Sequence, residues 1–232
     1  MTDQAQVLGA LSAVRDPELD EPITALGFVS SCTVSDAGDV AVRLRLPTYF
    51  CAPNFAFLMV ADAYDAVAAV PGVGKTEVRL DDHFASDVIN NGVAARSGFV
   101  ASFDGEAVDE LDSLRRDFLR KALLAGTDRL CRLMMAAGTD LAELAELTLG
   151  DAPDGPVKER LRSRRRELDL PYDDAAALVL DPVTGSAIVA AELRRHLGRA
   201  RITRVGQEAN SGVCRGMLRA RYQDAVQEGE AS

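Results

Sequence analysis

Between Val40 and Leu80 the sequence runs strand, helix, strand, with connections short enough to leave few ways of joining them. Val40, Val42, Leu44 and Leu46 alternate with Ala41, Arg43 and Arg45, the period-2 pattern of a strand with one wet face. From about Asn54 to Ala69, the side chains of Phe57, Val60, Ala61, Tyr64, Val67 and Ala68 fall on one helical stripe, and Pro71-Gly72 ends it. Thr76, Val78 and Leu80 then alternate again. A helix that returns over so short a path sets the second and third strands parallel, joined by a right-handed crossover.

The flanking sequence completes a small unit. Val7, Leu8, Leu11 and Val14 have helical spacing within residues 4–14, and Asp16-Pro17 stops that helix. Leu26 to Val34 reads as a strand, and Ser35 to Asp39 supplies turn chemistry, so the first two strands make a hairpin. The predicted class is α+β: an α-β-β-α-β domain over residues 1–104 with a mixed three-stranded sheet covered by helices on one face. A mainly helical region is expected over 105–226. There Val108, Leu111, Leu114, Phe118 and Ala122 begin a helical pattern that runs to about Ala137, where Gly138 can cap it. A shorter helix over 139–147, a linker over 150–156 and a basic helix over 157–168 follow. Beyond them come an apolar stretch at 176–180, a helix near 186–197, a strand-like Arg201–Val205 and a last helix over 212–226. The run Arg160, Arg162, Arg164, Arg165 and Arg166 reads as a solvated helix face.

Charge narrows the partners. The net charge is −10, and residues 1–105 hold 14 acidic and 6 basic side chains against 22 and 20 in the remainder. An acidic first half argues against nucleic acid, since affinity there comes from Lys and Arg neutralising phosphates. No apolar run approaches the ~18 residues a membrane-spanning helix requires. Met1 to Gln6 is polar, without the basic and apolar regions of a signal peptide, so the cytoplasm is the expected address. Neither a phosphate-binding G-x-x-x-x-G-K-[ST] loop nor a dinucleotide-binding glycine pattern occurs.

The four cysteines, Cys32, Cys51, Cys131 and Cys214, form no close pair, so each is judged alone. Cys51 stands in Leu46-Pro47-Thr48-Tyr49-Phe50-Cys51-Ala52-Pro53, in the loop just before a helix. Unpaired N–H groups and the positive dipole end at such a place stabilise thiolate, the form that binds iron or attacks an electrophile. A free cysteine is also commonly a small buried hydrophobe. Cys131 reads as core and Cys32 as a buried strand residue. Cys214, expected to open a helix after a glycine-containing turn, is the other credible ligand. His196 reads as a surface residue. His83, at the end of the third strand, would emerge at the sheet edge that carries the Cys51 loop. Imidazole is a competent iron ligand there, and Asp81 and Asp82 could steady its ring.

Four motifs in order carry a resemblance. Asp16-Pro17-Glu18-Leu19, Ile23…Leu26-Gly27, Thr48…Cys51…Pro53 and Pro71-Gly72-Val73 with Lys75–Leu80 together resemble the DUF59 (MIP18-like) family over residues 5–90. Here Ala52 separates the cysteine from the proline that directly follows it in the family. Asp82-His83-Phe84-Ala85-Ser86 stands where the family commonly has a Trp. The resemblance implies a role in iron–sulfur cluster assembly or metalloenzyme maturation, as a carrier, adaptor or targeting factor rather than a catalyst. It assigns Cys51 as the functional thiol, Thr48 as the threonine before it, and Asp16 and Glu18 as the acidic motif. The partners implied are iron–sulfur assembly proteins and a client metalloenzyme. Long chains of this kind resemble ones that accompany di-iron monooxygenases, so the helical region could dock such a client.

Three functional readings follow. In the first, Cys51 transiently ligates iron or an iron–sulfur cluster. One thiolate cannot enclose a cluster that usually takes four ligands, so it would be shared with a client or with the second subunit of a homodimer. In the second, the chain is an adaptor or folding chaperone whose thiol is incidental. In the third it is a thiol enzyme with Cys51 as nucleophile and His83 as base.

Overall fold

The structure, a computed structural model, describes residues 2–103 and 111–229, with side chains through 222. The expected boundary at 104/105 and the helical residue Val108 lie outside the described residues. The chain divides into two compact units, Met1–Asp112 with Asn210–Ser232, and Ser113–Ala209.

The first unit has the expected α+β class and element order. Helix α1 (Gln4–Leu11) opens on a capping box, in which Asp3 accepts from Gln6 N while the Gln6 side chain accepts from Asp3 N. Strands β1 (Val29–Val34) and β2 (Val40–Arg45) pair antiparallel, and β2 pairs parallel with β3 (Thr76–Asp81) from Val40↔Thr76 to Arg45↔Asp81. The turn between β1 and β2 holds Gly38 at a φ of +83°, where an added β-carbon would stand 2.7 Å from the Gly72 carbonyl oxygen. Helix α2 (Pro53–Ala68) makes the crossover. It buries Ala56, Phe57, Met59, Val60, Ala63 and Val67 in one core with Val40, Val42 and Leu44 of β2 and Val78 and Leu80 of β3.

Two helices after β3, α3 (Ser86–Ala94) and α4 (Phe99–Ser102), had no expectation behind them. Asn90 of α3 closes the free edge of β3: its Oδ1 accepts from Leu80 N at 2.8 Å and its Nδ2 donates to Leu80 O at 3.0 Å. One side-chain amide thereby satisfies both backbone groups of a residue that has no strand partner on that side.

The second unit is helical. Helix α5 (Asp112–Ala136) ends before Gly138, whose φ of +107° is the left-handed conformation that terminates helices. The helix expected over 139–147 is a single 3-10 turn, Glu143–Ala145. The stretch at 176–180 is irregular, tied by the bridges Thr148↔Ala177 and Leu180↔Ala187. Helix α6 (Pro156–Glu167) carries the arginine run, and here the expected solvated face needs correction: Arg164 and Arg165 are buried. Arg165 donates to the carbonyls of Ala177 at 2.9 Å and Leu178 at 2.6 Å, so it clamps the irregular strand of chain that no helix or sheet ladder satisfies. Burial lowers its pKa to about 10.

The three elements expected between 186 and 226 are one helix, α7 (Ala190–Gly229), which spans the two units' sequence boundary at 209/210. Arg201–Val205 is helical because nothing there breaks a helix; Ile202 and Val205 are exposed on its surface. Gly198, Gly206, Gly212 and Gly216 each cost a helix only about 1 kcal/mol, too little to interrupt it. Two further corrections follow. Cys214 lies inside a helix rather than at its opening, and His196 is buried rather than on the surface.

Candidate functional site

The end of β2 and the start of α2 are joined by residues 46–52, which carry Thr48 and Cys51. Leu46 and Pro47 are buried, so the loop leaves the sheet from a fixed point. The Phe50 N–H donates to the Thr48 hydroxyl oxygen at 3.3 Å, which curls the loop back on itself. The same hydroxyl stands 3.3 Å from Cys51 Sγ. With its oxygen already accepting from the backbone, its proton is free to point at sulfur. Cys51 is half-buried, and the helix that follows has Ala52 at its N-cap and no side-chain capping bond. Within that first turn Asn54 Oδ1 accepts from Phe55 N at 2.9 Å.

His83 holds this loop from the neighbouring strand. The parallel register carries the chain past Asp81, opposite Arg45, directly to His83, so the two loops leave the sheet at the same edge. His83 Nδ1 accepts from Ala85 N at 3.1 Å, which places the ring proton on Nε2, and Nε2 donates to the Cys51 carbonyl at 2.7 Å. The side chain is 3% exposed. Burial lowers its pKa, the bond to Cys51 O works the other way, and the Arg221 cation adds to the lowering. The imidazole is thus neutral with both nitrogens engaged, and it reaches the carbonyl of Cys51, not its thiol. Ligation of a metal by His83 would break one of these bonds, and a base for a Cys51 nucleophile would need the ring to turn.

The acidic motif forms a turn after α1. Asp16 is buried, and its Oδ1 accepts from Glu18 N at 2.9 Å and Leu19 N at 2.8 Å. Burial nonetheless pushes its pKa up to about 6, against those two bonds and with help from the charges of Glu18 and Glu21. The C-terminal part of α7 lies across this turn: Asn210 donates to Glu18 at 3.1 Å, and Arg215 pairs with Glu21. The expected residues Thr48 and Cys51 are in contact, and His83 holds their loop. Cys214 on α7 is a half-buried thiol whose pKa is pushed up to about 11 by burial first and then by the charges of Asp16, Cys51 and Glu18. Sequence reading missed Asn210, Arg215 and Arg221. Asn210 and Arg221, eleven residues and about three turns apart, share one helix face, a signal hidden once this helix is divided.

Outside the thiol the surface is aromatic. Tyr49, Phe50 and Phe84 are exposed, Phe50 to 77%, and their ring centroids lie 5.0–6.3 Å apart. Among the described residues no group of three or more His, Cys, Asp and Glu side chains is arranged to hold a metal ion. No helix among them is long and apolar enough to cross a membrane.

Comparison with known proteins bears on this arrangement. The family model described as iron-sulfur cluster assembly protein matches residues 4–80, the stretch that builds the sheet and the Cys51 loop. An uncharacterised protein of Methanocaldococcus jannaschii is 32% identical over 90 residues, which are 39% of this chain and 93% of that one. The chain belongs to the iron–sulfur cluster assembly (DUF59/MIP18-like) family. Two further relatives are matched over part of their length. An iron–sulfur cluster carrier protein of Mycobacterium leprae is 36% identical over 78 residues, 34% of this chain and 20% of that protein. A chloroplastic iron–sulfur cluster assembly factor of Arabidopsis thaliana is 36% identical over 80 residues, 34% of this chain and 15% of the factor. A crystal structure of a DUF59 domain from Bacillus anthracis aligns with a TM-score of 0.32 at 22% identity, covering 40% of this chain and 89% of that one. The family's match ends at the third strand, so α3 to α7 lie outside it.

Proposed function

We propose that this protein is a non-catalytic accessory factor of iron–sulfur cluster assembly, in which Cys51 takes up iron or a cluster as cargo and yields it to a client metalloenzyme. The observation that carries the reading is the Cys51 loop: a half-buried thiol faced by a hydroxyl, just ahead of a helix, on a loop pinned through its own carbonyl by His83. The donor chemistry fits cargo better than a resident group. A cluster usually takes four ligands, and the described residues enclose none, so the remainder must come from the recipient or from a second subunit. A cargo held by part of its ligand set can leave. Thr48 acts as donor to the thiolate, Asp16 and Glu18 as neighbouring carboxylates, and His83 as the residue that positions the loop. The exposed rings of Tyr49, Phe50 and Phe84 supply apolar surface where a recipient would approach the thiol. A di-iron monooxygenase is the client class that the sequence resemblance favours.

The test is anaerobic reconstitution with iron and sulfide of the wild type and Cys51→Ser, followed by visible spectra, metal counting and transfer to an apo-ferredoxin. The reading requires a cluster in the wild type that the variant fails to hold. Equal iron in both chains would sink it.

The aromatic patch also favours a second reading, an adaptor that recruits a client by surface alone. That reading requires Cys51→Ser to keep full activity in supporting its client and Phe50→Ser to lose it.

A further inference from the structure

Within the first unit, the C-terminal part of α7 and the loop before β1 enclose a basic cavity of about 400 Å3. Arg215, Arg219 and Tyr222 line it from the helix, at the spacing of one helical face. The Thr24–Gly27 stretch lines it from the loop, and Arg45, the last residue of β2, lines it from the sheet. Loop and helix meet closely here: a β-carbon on Gly27, whose φ is +79°, would stand 3.3 Å from Leu218.

The charge of this cavity runs against that of the chain. The protein carries a net −10, yet three guanidiniums line the cavity, and no acidic side chain among the described residues does. Arg215 is occupied, since it pairs with Glu21 and donates to the Ala25 carbonyl. Among the described residues Arg45 and Arg219 have no carboxylate partner. Arg45 Nε is in addition buried without a hydrogen-bond acceptor. A charged donor left unmade in a buried position is costly, and an anion beside it removes the cost.

The Arg45 guanidinium is held ready for such a ligand. Its Cζ lies 4.6 Å from the centroid of the Tyr222 ring, and that of Arg221 lies 5.1 Å from the same ring. Arg221 is itself fixed, donating to the Leu46 carbonyl at 3.1 Å and to the Asp82 carbonyl. A group ordered before its ligand arrives loses little freedom on binding.

We propose that this cavity is an anion site that takes up one small dianion, a phosphate group or a dicarboxylate, on Arg45 and Arg219. Two guanidiniums without partners match two negative charges, and each presents a planar fork that donates parallel N–H bonds to carboxylate or phosphate oxygens. This goes beyond the proposed function, because the site uses none of the residues assigned to the cargo.

The experiment is isothermal titration calorimetry of the full-length protein at low ionic strength, with inorganic pyrophosphate in one arm and malonate in the other. Binding of one anion per chain is expected. Tighter binding of pyrophosphate assigns a phosphate ligand, and tighter binding of malonate a dicarboxylate. Arg219→Gln, at an exposed helix position, should weaken binding roughly tenfold. Arg45→Lys keeps the charge but loses the fork, and a loss of about the same size is expected. Lys75→Gln removes one positive charge just before β3, at the opposite end of the sheet from Arg45, and should change affinity by no more than about twofold. No heat with either anion overturns the proposal. Unchanged binding in Arg219→Gln and Arg45→Lys overturns it too, as does a loss in Lys75→Gln equal to theirs, which would mean attraction by overall charge alone.

Discussion

Asp16 is held where a carboxylate is costly. Its pKa of about 6 lies above the ordinary 3.8, so the folded state binds its proton more tightly than the unfolded state does. The ionised side chain therefore destabilises the fold above pH 6, and the cost fades as pH falls toward 3.8. A shift of this size corresponds to about 3 kcal/mol. Asp16→Asn keeps an oxygen for the N–H groups of Glu18 and Leu19, so it should raise stability at pH 8 by up to about 3 kcal/mol and lose the gain by pH 4. Urea denaturation at the two pH values checks this, and an unchanged or lower stability at pH 8 would refute it. His83 has the opposite sign. Its pKa is lowered from 6.5, so its contribution is complete above pH 6.5 and is lost as pH falls from there through the folded value. His83→Ala strips the Cys51 carbonyl and the Ala85 N–H of their partner, at about 1–3 kcal/mol for each group left buried and unpaired. The expected loss, read by thermal unfolding at pH 8, exceeds that of Phe84→Ala beside it, because Phe84 is half exposed.

Among the elements, β3 has a free edge that depends on a side chain. Asn90→Leu keeps the volume but leaves Leu80 N and O without a partner, so a loss of about 2 kcal/mol is expected. Amide hydrogen exchange at Leu80 should accelerate by the same free energy, and native-like protection there would refute the role. Helix α3, which supplies Asn90, was illegible in sequence for a physical reason. Asn90, Asn91 and Gly92 are poor helix formers, and Ile89 and Val93 make only one buried pair. Packing against β3 holds this helix where propensity does not. By contrast β2, α2 and β3 were legible because their buried residues recur at strand and helix periods over long enough runs to be read locally.

For the whole molecule, the consequential contact is between chain positions about two hundred residues apart. Leu218 belongs to the core that α1, the sheet and α2 build, and Arg221 and Arg215 tie down loops at 16–27, 46 and 82. Ending the chain at Ala209 should lower the urea midpoint of the first unit, with about 2 kcal/mol lost from Leu218 alone. An unaltered midpoint would show that the N-terminal residues complete their own core. The buried Arg165 likewise acts beyond its helix, since the carbonyls it satisfies belong to a segment twelve and thirteen residues away.

Local periodicity and turn chemistry determined the α-β-β-α-β order, the parallel crossover and the position of Cys51 ahead of a helix. Those properties depend on neighbours in sequence, so the sequence states them. The tautomer and task of His83, the burial of Asp16, Arg165 and His196, and the packing of Leu218 into the first unit's core were decided by tertiary structure alone. Each depends on which distant group fills the space around a side chain, and that distance along the chain leaves no periodic trace.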